Sequence, residues 1–244
     1  MNRKIYAIFV KTKPLILHMR DRIKKNNMKH LLVSILFLAV VGTSIAQTKG
    51  QISYNMDFSS DNPDMAMALP MMQGSTMELY FMPKKSKVQM TMGSFMKMNT
   101  VIDEKANKGL VLMEVMGQKS ATEIKDLNAK PADAPAADPK VEVTTETKDI
   151  IGYKCVKTIV RDAEGGESIV WVAKDLKAAL KGQQQFSVKG IEGAPLEFST
   201  QKNGMNIHFI ATKFEGKVDK KLFSLKIPEG YTVMTEEDLK NMGM

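Results

Sequence analysis

Apolar and polar positions alternate along most of the chain after its first fifth, and the clearest case is Asp149 to Leu176. There DIIGYKCVKTIVRDAEGGESIVWVAKDL places two β-branched runs, Ile150 to Val160 and Ile169 to Ala173, around Ala163-Glu164-Gly165-Gly166. Glycine accepts positive φ where a chain reverses, so this stretch predicts a β-hairpin. A short helix is expected to follow it, from about Asp175 to Lys181. Upstream, Gln51 to Phe58 predicts a first strand. Met77, Leu79 and Phe81 then share one face, and after the turn Pro83 to Ser86 so do Val88, Met90 and Met92. That period of two belongs to half-buried antiparallel strands. Met96 to Asp103 pairs with Leu110 to Met116, and Lys119 to Ile124 adds another strand to the meander.

Between strands, Asn62 and Pro63 suit the start of a short helix running to Leu69, with Pro70 interrupting it. Met65, Met67, Met71 and Met72 then lie on a short apolar segment with the character of a lid. Asn128 to Lys140, NAKPADAPAADPK, spaces three prolines among Ala and Asp and is expected to be an extended, solvated loop. Strands resume at Val141 to Thr147 and continue at Leu196 and Phe198, at Met205 to Phe209, and at Leu222 to Ile227. Thr235 to Leu239 predicts a capped helical turn. The fold class expected is mainly β: a single domain over 47–244 with roughly eleven strands, two or three short helices and an inserted loop at 128–140.

The first 46 residues have a different pattern. Met28-Lys29-His30 is a basic start, Leu31 to Val41 an apolar run of eleven residues, and Ser44-Ile45-Ala46 a small-residue cleavage site. This is the pattern of a signal peptide over 28–46, with 1–27 expected to be an upstream start-site extension. The run falls short of the roughly 20 apolar residues that span a bilayer, and no Cys follows it to carry a lipid. The protein is therefore expected in the periplasm or outside the cell.

Removing the leader changes the charge. It holds nine of the 35 Lys and Arg residues and one of the 27 acids, leaving 26 of each. A neutral mature chain gives no reason to expect nucleic-acid binding. One histidine, His208, and one cysteine, Cys155, remain after the leader. A zinc site of several His ligands is excluded within one chain, and a Ser-His-Asp triad would have to use His208, in a strand without a nucleophile elbow. Neither an enzymatic activity nor a cofactor is expected. Cys155 lacks an internal disulfide partner, and as a strand cysteine it is expected to be a buried thiol.

Four short motifs carry a resemblance: Ile151-Gly152-Tyr153-Lys154-Cys155; Val170-Trp171-Val172-Ala173-Lys174-Asp175; Gly193-Ala194-Pro195-Leu196-Glu197; and Leu222-Phe223 with Ile227-Pro228-Glu229-Gly230-Tyr231. Together they resemble a family of secreted Gram-negative proteins known as a domain of unknown function (DUF). That family is similar in turn to the outer-membrane lipoprotein carriers LolA and LolB. The resemblance implies a curved antiparallel sheet forming an unclosed half-barrel, with helices over an apolar cavity. It also implies an apolar small molecule or an acylated protein as partner, and peripheral contact with the outer membrane.

Methionine is the strongest compositional bias. The chain has 20, and thirteen of them lie between Met56 and Met116. Three readings fit. Met is an ordinary core filler; it is also an adaptable surface for variable apolar ligands; and thioethers select Cu(I), for which Met65/Met67, Met90/Met92 and Met96/Met98 have a Met-x-Met spacing. On strands that spacing is also two consecutive inward positions. The residues expected to line an apolar cavity are Met77, Leu79, Phe81, Val88, Met90, Met92 and Trp171, with Met65, Met67, Met71 and Met72 as the lid.

Overall fold

The computed structural model describes residues 46–65, 67–129, 138–162, 166–178, 180–181, 190–202, 204–235 and 238. All its elements belong to the unit Ile45–Met244. The leader expected before Gln47, most of the Pro-Ala-Asp loop and the hairpin tip at 163–165 lie outside the described residues.

Among the described residues twelve strands form one sheet. They are β1 (Gly50–Ser59), β2 (Thr76–Met82), β3 (Lys85–Met92), β4 (Met96–Asp103), β5 (Lys108–Val115), β6 (Gln118–Ile124), β7 (Lys140–Ile150), β8 (Tyr153–Arg161), β9 (Glu167–Ala173), β10 (Ala194–Lys202), β11 (Met205–Glu215) and β12 (Thr232–Val233). Their order across the sheet is β12-β6-β5-β4-β3-β2-β1-β11-β10-β9-β8-β7. Two meanders, β1 to β6 and β7 to β11, are joined where β1 pairs antiparallel with β11. β7 and β12 stand at the two ends of the sheet and do not pair with each other, so the half-barrel is unclosed.

One face carries the core. Register places Ile52, Tyr54 and Met56 of β1 beside Leu79 and Met77 of β2 and Phe209 and Ala211 of β11. Phe198 of β10 and Val170 of β9 continue the same face. Tyr54, Phe81, Phe209, Met77 and Leu79 are fully buried in one cluster with Leu196 and Val172. A flat single sheet leaves one face wet, so burial of this depth comes from the sheet curling its core face inward. Phe198 and Phe209 stack with centroids 4.5 Å apart, and Tyr54 meets Phe198 edge-on at 6.3 Å.

One end of the half-barrel is plugged by irregular chain. Leu176, just past β9, is fully buried in the core cluster. Gln47 runs parallel beside it, donating its N–H to Asp175 O at 2.7 Å and accepting from Lys177 N at 2.8 Å. Five residues further on, Lys181 Nζ donates to Asn128 Oδ1 at 2.8 Å, beyond the end of β6. Asn128 in turn donates to Asp126 and to Asn107 in the β4–β5 turn, tying this segment to the far half of the sheet.

Several expectations are corrected. Asp175 to Lys181 is not a helix where it is described; its backbone pairs with Gln47 instead. Leu222 to Ile227 alternates like a strand, but its start lies in a 3-10 turn, Lys220–Phe223, capped by the Asp219 side chain at Lys221 N. This turn lies against β3 and β4 and buries Phe223. It sits on the outer side, where Val101, Leu110 and Ala121 are also buried. The helix expected from Asn62 is two 3-10 turns, Pro63–Met65 and Leu69–Met72. Pro70 belongs to the second of them, because the first turn of a helix leaves its N–H groups unused.

Ile150 to Val160 is also not one strand. Ile151 and Gly152 have φ of 46° and 82°, a two-residue turn between β7 and β8. A β-branched residue at positive φ is rare, which hid the turn in the sequence. Ile151 packs against the core, which offsets part of the backbone cost. The hairpin expected within 149–176 is present as β8 and β9, with Arg161 opposite Glu167, and Asp162 accepting from Gly166 N at 2.7 Å.

Candidate functional site: a methionine ladder at the open rim

Strand alternation puts every second residue on the core face, and antiparallel register aligns those residues from strand to strand. Met77 of β2 faces Met90 of β3, Met90 faces Met98 of β4, and Met98 faces Met113 of β5. The result is a ladder of four methionines across four adjacent strands. Beside it Met92 faces Met96, which faces Val115. Directly opposed residues have Cβ atoms about 4.5–5.5 Å apart, so these unbranched side chains touch their neighbours.

Burial falls along the ladder. Met77 is fully buried and Met90 is 7% exposed, whereas Met92, Met96, Met98 and Met113 are half-buried. The core thus passes, without a change of face, into an apolar strip over β3 to β5 that is open to solvent. The strip lies toward the end of the sheet opposite Leu176, where the β3–β4 and β5–β6 turns form a rim. Met116 N donates to Phe95 O at 2.8 Å and joins those two turns.

The segment bearing Met65, Met67, Met71 and Met72 docks on this rim. Ser75 Oγ donates to Met72 O at 2.5 Å and accepts from Gly93 N at 3.1 Å. Gly93 has φ of +49°, and a Cβ there would lie 1.9 Å from Met71 O, so only glycine permits the approach. Met65 and Met72 are half-buried, while Met67 is 87% and Met71 63% exposed. The segment touches β1 and the β3–β4 turn and leaves part of the methionine strip uncovered.

Of the residues expected to line a cavity, Met77, Leu79, Phe81, Val88, Met90 and Met92 do share the core face. The first five are buried in the core cluster, and Met92 lies on the open strip. Trp171 departs from them. It is half-buried against the margin of the core cluster and pairs with Glu197 and Lys157; Lys148 Nζ sits 4.4 Å from its ring centroid and 2.7 Å from Glu197 Oε2. Trp171 stands between buried Val170 and Val172, so alternation within β9 already sets it on the face away from theirs. Sequence reasoning missed Met96, Met98 and Met113 as lining residues, although the first two appeared as a Met-x-Met pair; only strand pairing shows that they complete the ladder.

The remaining reactive groups lie elsewhere. Cys155 is a free, fully buried thiol, and burial pushes its pKa up to about 11. His208 is half-exposed on β11, with Nε2 3.6 Å from Glu197 Oε1. Among the described residues no group of three His, Cys, Asp or Glu side chains is placed to hold a metal ion. Among them, too, no helix is long and apolar enough to cross a membrane.

The fold defines a class: an unclosed antiparallel half-barrel whose core face runs out into an apolar rim. Residues 63–231 match the domain of unknown function DUF4412, and the chain belongs to that family. A search of curated proteins returns no match. Among solved structures the chain is similar to PNGF-II in its P21 crystal form, at 17% identity over 80% of this chain and 33% of that one, with a TM-score of 0.46. It thus spans about a third of the PNGF-II chain. It is also similar to the Mycobacterium tuberculosis lipoprotein LppX, at 11% identity over 72% of this chain and 95% of that one, with a TM-score of 0.34.

Proposed function

We propose that this protein is a non-enzymatic binding protein of the periplasm or cell exterior, holding an apolar ligand, a lipid or the acyl chain of an acylated protein, against the methionine strip of β3 to β5. The observation that carries the reading is the gradient from fully buried Met77 to half-buried Met98 and Met113 on one continuous face. Contiguous apolar surface left open to water marks a place where something binds. Methionine suits chains of varying shape, because its unbranched, polarizable side chain adapts to them. Export fits the start of the fold: cleavage before Gln47 leaves in place the bonds that Gln47 makes to Asp175 and Lys177.

Native mass spectrometry of the protein purified from its own cells, with a fluorescent fatty acid titrated into the delipidated form, tests this reading. The expected result is a retained lipid-sized adduct and saturable probe binding that Met98→Asp and Met113→Asp weaken at least tenfold. A protein carrying no adduct, with probe binding indifferent to both changes, would refute it.

A further inference from the structure

We infer that the same strip contains a thioether site for a soft monovalent cation, Cu(I) or its redox-inert counterpart Ag(I), centred on Met98 and built from Met90, Met92, Met96 and Met113. The inference rests on sulfur chemistry and register, and it stands or falls separately from the apolar-ligand reading. Two Met-x-Met pairs, Met90/Met92 and Met96/Met98, lie on neighbouring antiparallel strands and oppose one another residue for residue. The quartet is therefore two directly opposed thioether pairs on one face, and Met113 meets Met98 from the other side. Three or four thioethers are a soft donor set of the kind that holds a d10 monovalent ion.

Two further observations separate this from ordinary packing. The first is the composition of the sheet. β8 and β9 are rich in Val, Ile, Thr and Trp, the residues that strands favour, whereas the core face of β3 and β4 has methionine at four positions out of eight. Strand preference does not select methionine there. The second is exposure. Met92, Met96, Met98 and Met113 are half-buried, so an ion can reach them from solvent, while the buried core supplies the fixed neighbours Met77 and Met90. The core-face residues flanking the quartet on β4 to β6 include Thr100, Val111, Val115, Gln118, Ser120 and Thr122. None is a carboxylate or an imidazole, so the site offers nothing to favour a hard or borderline ion. Binding is by coordination alone, with no change in oxidation state.

The test uses the whole mature protein labelled with 13C at its methionine methyl groups. Ag(I) is titrated in, and Cu(I) is titrated anaerobically against a chromophoric chelator. The expected result is uptake of one ion per chain, with methyl shifts confined to Met90, Met92, Met96, Met98 and Met113. Combined Met92→Leu, Met96→Leu and Met98→Leu changes should weaken binding at least a hundredfold, while Met67→Leu with Met71→Leu leaves it unchanged. No stoichiometric uptake, shifts confined to exposed Met67, Met71 and Met116, or full affinity in the triple variant would each overturn the site. Methyl mapping in the parent decides the matter even if the triple variant folds poorly. A fluorescent fatty acid serves as the separate arm: the triple variant, which keeps apolar volume, should still bind it, and loss of probe binding in the parent would refute the ligand reading alone.

Discussion

The Tyr54 hydroxyl on β1 donates to the backbone carbonyl of Pro195 on β10, 2.8 Å away, passing over β11, which lies between them. The residue opposite Tyr54 on β11 is Ala211, small enough to let the ring pass, and the carbonyl belongs to the bulge between Pro195 and Glu197. Burial pushes the phenol's pKa well above its usual value. Tyr54→Phe is expected to cost about 1 kcal/mol, because the bulge carbonyl loses this donor in a dry site. Urea unfolding should show a lower midpoint with an unchanged slope.

Cys155 is expected to resist alkylation in the native protein and to react only as the chain opens. Its pH dependence has a definite sign. The thiol's pKa is about 11 in the fold against 9.0 for an unperturbed group, so between those values the unfolded chain releases a proton that the fold retains. Its contribution to stability is therefore complete below about pH 9 and lost as pH rises through about 11. The parent should lose stability faster than Cys155→Ala across this window, by roughly 1.4 kcal/mol per pKa unit, in paired denaturation curves. Parallel curves would show that the thiol is not held in an apolar site.

Leu176 lies outside every strand yet is fully buried. If the segment after β9 plugs one end of the core, Leu176→Ala should cost about 2–5 kcal/mol, the range for emptying a packed leucine site. Val233→Ala in the edge strand, where the side chain is 64% exposed, should change stability by less than about 0.5 kcal/mol. Thermal melting of the two variants side by side provides the comparison.

Met116 has φ of 49° ahead of Gly117 at 85°, and its side chain is 85% exposed. It bears the cost of a left-handed backbone with little burial in return. Met116→Asn places the preferred residue of this hairpin turn and should stabilise the protein by up to about 1 kcal/mol. Gly117→Ala should do the reverse. Denaturant midpoints that move in the same direction for both variants would contradict the turn geometry.

Period-two alternation made β1, β2 and β3 legible, because one face of each is dry and the other wetter, and a slip of one residue would exchange them. Met96–Asp103 emerged at its observed bounds. The buried cysteine was legible too, since a lone apolar-flanked thiol in a strand has few other places to go. Local pattern failed where tertiary packing overrode it. Leu222 and Phe223 alternate like a strand, but the sheet beside them was already paired, and the segment crossed the outer face to bury Phe223. Thr232–Val233 carries too little pattern to announce a strand and acquires one by lying parallel to β6.

The candidate site divides in the same way. That Met90, Met92, Met96 and Met98 point inward follows from the sequence, because alternation is a property of each strand alone. That Met90 stands opposite Met98, that Met98 also meets Met113, and that this row is open while Met77 is sealed were decided only by the tertiary structure. Pairing register and the curl of the sheet involve strands and turns remote from any one residue. For Trp171, alternation within Glu167–Ala173 already sets its face apart from that of Val170 and Val172, and what the tertiary structure added is its contact with Lys148.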